Sequence, residues 1–160
     1  MLRFYSTQIS ERTIVLDEND SRHAIKALRL SQGSKLEIVD GNGNIYTAEI
    51  ESPNHKKCLC KIIEVKKEKP LPYTLHVAVA PTKNIDRLEW FLEKATELGI
   101  TEITPLLCSN SERKAIKTER LERILVSAMK QSLKATKPIL NPLTPLKSFI
   151  SQDATGVKLM

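Results

Sequence analysis

The sequence predicts an α+β chain built in two parts, a small β module followed by an incomplete α/β layer. Three observations carry this expectation. Short alternating runs separated by turn residues fill the stretch from Met1 to about Val65. A Pro-bearing polar segment, Lys66-Lys67-Glu68-Lys69-Pro70-Leu71-Pro72, has little to bury and discourages regular pairing. Beyond it the order strand, helix, strand, long helix is a βαβα pattern, which implies a largely parallel sheet.

In the first part, strands are expected near Arg3–Tyr5, Thr13–Leu16, Leu36–Val39, Ile45–Ile50 and Leu59–Val65. Asp40-Gly41-Asn42-Gly43-Asn44 tolerates positive φ and separates two alternating runs, so a hairpin is expected there. Between strands, Asp20 is read as the cap of a short helix. Ala24, Ala27 and Leu28 would face inward, leaving His23, Lys26 and Arg29 toward the outside.

In the second part, Leu75–Ala80 is apolar apart from His76 and reads as a strand covered on both faces. Asn84 is a plausible cap for a helix whose buried stripe is Leu88, Phe91, Leu92, Ala95 and Leu98, and Gly99 ends it. Ile103, Leu106 and Leu107 form the next strand. A long helix follows, stopped by Pro138, then a short strand at Ile139–Leu140 and a short helix from Thr144-Pro145 through Phe149. Val157-Lys158-Leu159-Met160 reads as the beginning of another strand.

Charge adds a functional pointer. Between Arg113 and Lys137 eight basic residues stand against two acids, an excess equal to the net charge of +6 carried by all 160 residues. A localised surplus of this kind suits a polyanion such as nucleic acid. Leu121, Ile124, Leu125, Ala128, Ser132 and Ala135 recur at helical spacing, with Arg120, Arg123, Lys130, Lys134 and Lys137 on the opposite face. One helix would bury one side and present a cationic ridge, although lysines and arginines also solvate the outside of ordinary helices.

Other chemistry is excluded or weak. No run approaches the roughly 20 apolar residues of a membrane-spanning helix, and the three cysteines suit a reducing cytoplasm. The three histidines are scattered, no metal-ligand spacing occurs, and no metal is expected. There is no glycine-rich nucleotide loop and no nucleophile elbow. Glu93 and Glu97 stand one turn apart, but Asp86 and Glu89 on the same helix make a solvated acidic face the simpler reading. Pro81-Thr82-Lys83-Asn84-Ile85-Asp86-Arg87 joins a strand end to a helix, the place where open α/β sheets bind ligands, so Lys83 and Arg87 are candidates for phosphate. Arg113, after the next strand, is another. An ordinary polar loop or a helix-capping network accounts for them equally. Trp90 is a core-edge, oligomer or base-stacking residue.

Taken together, the motifs resemble a known family, the bacterial 16S ribosomal RNA uridine-N3 methyltransferases of the knotted SPOUT superfamily. Arg3-Phe4, His23 through Leu30, Gly33, Asp40-Gly41-Asn42-Gly43 and Tyr46-Thr47-Ala48 resemble that family's PUA-like β-barrel. Lys83-Asn84-Ile85-Asp86-Arg87-Leu88-Glu89, Lys94 through Ile100 and Ile103-Thr104-Pro105 are more specific. A third block is Ser127 through Ser132 with Lys137-Pro138; Lys134 departs from a nearby arginine common in the family.

The resemblance implies a PUA-like RNA-binding barrel over residues 1–68 and, over 73–160, the N-terminal part of a SPOUT methyltransferase domain, truncated before its trefoil knot. It implies methyl transfer from S-adenosylmethionine to N3 of one uridine in 16S ribosomal RNA by a cytoplasmic homodimer with no membrane attachment. The family's glycine-rich cofactor loops would lie beyond Lys158, so this stretch alone is expected to bind no cofactor and to be inactive. No residue is assigned as the proton acceptor. RNA contacts are expected from Arg3, His23, Lys26 and Arg29 in the first part and from Lys83, Arg87, Arg113, Arg123 and Lys130 in the second. The alternatives are a noncatalytic adaptor for structured RNA and an interaction protein that dimerises through Trp90 and Phe91.

Overall fold

A computed structural model of the chain describes residues 3–152 together with 156, 157 and 159. It divides into two compact units, Met1–Pro72 with Val126–Lys137, and Tyr73–Leu125 with Pro138–Met160.

The first unit is a six-stranded sheet in the order β1-β4-β5-β6-β3-β2. Its strands are β1 (Arg3–Tyr5), β2 (Gln8–Ile9), β3 (Thr13–Val15), β4 (Lys35–Val39), β5 (Asn44–Ser52) and β6 (Leu59–Lys67). β4 and β5 pair antiparallel across the Asp40–Gly43 turn as expected, with Leu36 opposite Ala48 and Ile38 opposite Tyr46. Register shifts at Thr47/Ala48 and Ile50/Ser52 mark irregularities that curl the long β5–β6 ribbon. The result is a half-barrel, with β1 and β2 at its two edges. Inward alternation buries Phe4, Ile14, Leu16, Leu36, Ile38 and Ile50 almost completely, each stabilising the unit by about 1.5–3 kcal/mol.

The short helix differs from its expected form. Asp17, not Asp20, caps α1 (Glu18–Arg22), its carboxylate accepting the Asp20 N–H at 2.7 Å. The helix continues as a π-helical turn over His23–Ala27. This wider turn shifts the side-chain phase, so Ala24 is buried and Ala27 is exposed. Arg29 then adopts a left-handed φ of 55°.

The second unit holds a four-stranded sheet, wholly parallel. β7 (His76–Val79), β9 (Ile139–Leu140) and β10 (Thr144–Pro145) all pair with the central β8 (Glu102–Leu107). β7 is half-buried rather than covered on both faces, with His76 exposed, and among the described residues it pairs only with β8. α2 (Ile85–Leu98) starts at the Asn84 cap and ends at Gly99, whose φ of 93° a side chain would oppose. Its buried stripe is Leu88, Leu92, Ala95 and Thr96. Leu98 falls about a quarter-turn from the centre of that stripe and is 79% exposed. α4 (Leu146–Ile150) follows β10 directly. Val157 and Leu159 lie in no regular element, and Lys158 and Met160 of the expected final strand are outside the described residues.

α3 (Thr118–Gln131) gives Leu121 and Leu125 to the core of the second unit and Met129 to a cluster of the first. It does not run to Pro138. Leu133 takes a left-handed φ of 56°, the Lys134 N–H bonds the Met129 carbonyl at 3.0 Å and the Leu133 N–H bonds that of Lys130 at 3.2 Å. This is a Schellman closure with leucine in the position that glycine favours. The released chain then lies along the hairpin turn. Gly43 N–H donates to Ala135 O, Lys137 N–H to Gly41 O, and Glu68 accepts from the Ala135 N–H and the Thr136 hydroxyl. Lys134 and Lys137 therefore do not continue the face of the helix.

Leu133 is 61% exposed, so little packing opposes its replacement. Left-handed strain of about 1–2 kcal/mol outweighs the extra unfolded-state entropy of glycine. Leu133→Gly is expected to raise stability by about 0.5–1 kcal/mol, read as a higher urea midpoint; a lower midpoint would contradict this account of the helix end.

Candidate nucleic-acid interface

In the first unit a cavity of about 390 Å³ is walled on one side by Arg3, Phe4, Asp20 and His23, and on the other by Ser127, Lys130, Gln131 and Leu133. β1 supplies Arg3 and Phe4, the capped helix and its π turn supply Asp20 and His23, and the last turn of α3 supplies the rest. Asp20 is only 7% exposed, and a carboxylate that deep requires partners. It accepts the Tyr5 N–H at 3.1 Å and the Lys130 ammonium at 2.9 and 3.1 Å. Arg3 is similarly engaged. Its Nε and Nη2 reach Glu37 at 3.4 and 3.1 Å, and its Nη1 donates to the Leu133 carbonyl.

The expected RNA-facing residues therefore divide by circumstance. Arg3, His23 and Lys130 come together around one cavity, with both cations already paired. The His23 ring lies tilted against Phe4, with centroids 6.1 Å apart. Lys26 and Arg29 are exposed on and just after the π turn, and neither has a hydrogen bond or ion pair among the described residues.

In the second unit, Arg87 is exposed and likewise unpaired, and with Asp86, Trp90 and Phe91 it lines a shallow groove of about 400 Å³. Lys83 is 85% exposed, with Glu112 3.8 Å away. Arg113 donates to the carbonyls of Lys83 at 2.7 Å and Thr82 at 3.4 Å, tying one strand-end loop to the other. Arg123 is exposed without a partner among the described residues. Arg120 does not contribute free charge, since its Nε lies 2.6 Å from a Glu89 oxygen and its Nη2 2.9 Å from the other. Lys94 sits 2.8 Å from Glu93 and 3.0 Å from Glu97. These two carboxylates raise its pKa above that of a free lysine and make this an ion-paired surface rather than an acid/base dyad. Trp90 is 64% exposed.

Sequence reasoning missed the pairing of Asp20 and the roles of Ser127 and Gln131 in the cavity wall. Asp17 three residues before Asp20 was the available sign, because that spacing suits a capping residue and an acid in the first turn. The partner of Asp20 lies 110 positions away, beyond any local pattern. Gly41 and Gly43 form the hairpin turn and Gly99 a helix end. Neither cavity is walled by a glycine-rich backbone cradle.

Comparison with known proteins matches two successive stretches of the chain. Residues 68–160 match the RNA methyltransferase domain model, and residues 16–63 match the RNA methyltransferase PUA domain. A ribosomal RNA small subunit methyltransferase E from Synechocystis sp. is 30% identical over 141 residues, covering 86% of this chain and 46% of that protein. Among solved structures, a probable rRNA-methyltransferase from Porphyromonas gingivalis is 35% identical with a TM-score of 0.84, covering 96% of this chain and 65% of that one. A putative methyltransferase from Legionella pneumophila, in complex with the bound cofactor SAM, is 26% identical with a TM-score of 0.86, covering 99% and 69%. The chain spans between about half and two thirds of the length of the curated relatives it matches.

The Asp20–Lys130 pair generates a stability prediction. Lys130→Met leaves a nearly buried carboxylate without its cation, at a cost of about 2 kcal/mol, below the range for fully buried pairs because the lysine is a quarter exposed. Asp20→Asn in the same chain is expected to recover at least half of that loss in a double-mutant cycle by denaturation. Strict additivity of the two changes would show that the pair is not coupled.

Proposed function

The chain belongs to the RNA methyltransferase domain family, and from that footing we propose that it is the RNA-gripping portion of a ribosomal RNA small subunit methyltransferase. In this reading the whole protein acts in the cytoplasm as a homodimer, taking a methyl group from S-adenosylmethionine to N3 of one uridine in 16S ribosomal RNA. The residues in hand hold the substrate. A target base in folded RNA must be unstacked to be modified, at a cost of about a few kcal/mol, and protein contacts to the surrounding phosphates help to offset it.

One observation supports this reading above the others: the exposed cations Lys26, Arg29, Arg87 and Arg123 have no carboxylate partner among the described residues. Together with Lys83 they are assigned the phosphates. Arg3, His23 and Lys130 shape the cavity, and Arg113 fixes the loop that carries Lys83. A noncatalytic adaptor for structured RNA is the second reading, supported by the same unpaired cations, which serve RNA binding with or without methyl transfer. Calorimetric titration of S-adenosylmethionine separates the two readings, since only the enzyme reading, tested on the whole protein, requires heat of binding.

Phosphate contact makes affinity fall with salt. Binding of a structured 16S fragment, followed by fluorescence anisotropy across a potassium chloride series, is expected to weaken in Arg123→Glu and in Arg29→Glu. The log–log slope should shrink by about 0.7–0.9 for each phosphate that is no longer neutralised. An unchanged slope in both variants would remove the phosphate assignment.

A further inference from the structure

We infer that the cavity of the first unit receives one unstacked nucleobase rather than a phosphate, an inference that rests on the RNA-binding reading above. Its cations are already matched: Lys130 by both oxygens of Asp20, and Arg3 by the Glu37 carboxylate, with a further Arg3 donor taken by the Leu133 carbonyl. A phosphate entering there would compete with carboxylates that are fixed in place. An uncharged polar group meets no such competition.

The free hydrogen-bonding capacity lies on α3. Ser127 and Gln131 are four residues apart, on the same face of the helix, and both are exposed without a side-chain partner among the described residues. The Gln131 amide offers an N–H donor beside a carbonyl acceptor. The Watson–Crick edge of every nucleobase likewise sets a donor beside an acceptor, so the amide can close two hydrogen bonds to one base. The His23 ring, held against Phe4, supplies the flat face on which such a base stacks. At about 390 Å³ the space lies within the range of small-ligand pockets. Reading unpaired bases by stacking and edge contacts is the usual route to sequence preference in RNA, which makes Ser127 and Gln131 specificity-determining positions distinct from the phosphate-binding cations.

Two measurements on the 160-residue chain test this. In the first, the four nucleosides and inorganic phosphate are titrated separately while the Gln131 side-chain amide signals are followed by NMR. Nucleosides are expected to move them and phosphate is not; a response to phosphate alone overturns the inference. In the second, Gln131→Ala is expected to weaken binding of the structured 16S fragment about tenfold with an unchanged salt slope and an unchanged melting temperature. Gln131→Glu, which removes the donor but keeps the size, should also bind weakly. If Gln131→Ala binds as the parent does while Arg123→Glu binds poorly, the base pocket is refuted and the RNA reading survives. If the parent chain binds no RNA, both fall.

Discussion

The arrangement of the first unit depends on one buried carboxylate. Asp20 sits under β1 with almost no access to water and accepts a backbone N–H from Tyr5 and two hydrogen bonds from Lys130. A lone ion at that depth costs several kcal/mol, so the last turn of α3 is held where its ammonium can reach. That placement sets Ser127 and Gln131 beside Lys130 in the cavity wall and delivers Leu133 to the guanidinium of Arg3. The left-handed Leu133 then turns the chain so that Ala135–Lys137 meets the Asp40–Gly43 turn. The end of α3 is thus part of the β module in packing, although it lies more than fifty residues beyond it in sequence.

The charge of the chain falls into two kinds. Arg3, Arg120 and Lys130 are among the lysines and arginines matched to carboxylates and tie separate elements together. Those left exposed without partners, Lys26, Arg29, Arg87 and Arg123, are free to meet a polyanion. A count of basic residues cannot separate the kinds. In α3 the surplus read from sequence falls to Arg123 once Arg120 and Lys130 are committed to Glu89 and Asp20.

How much was legible depended on the range of the interaction. The β4–β5 hairpin, the Asn84 cap and the Gly99 stop were read correctly because turn chemistry and capping act over a few residues. The parallel order of the second sheet followed from alternating elements. Three local errors had local causes: the π turn that exposes Ala27, the acid at Asp17 that caps in place of Asp20, and the non-glycine left-handed stop at Leu133. The cavity was not legible as a site. Its walls come from residues 3 to 23 and 127 to 133, and no periodicity connects segments so far apart; the sequence reading put Arg3 and His23 in the first part and Lys130 in the second, whereas Lys130 belongs to the first unit.

Hydrogen exchange tests the dependence on Asp20 most directly. The amides of Gly43 and Lys137 donate between the hairpin turn and the chain after α3, and that of Ala135 donates to the Glu68 carboxylate. In the parent chain they should open together, with protection matching that of β4 and β5. In Asp20→Asn all three should lose protection together while the β7–β8 amides keep theirs. Retention of protection at Ala135 and Lys137 in that variant would contradict the claim that the buried carboxylate holds the end of α3 on the module.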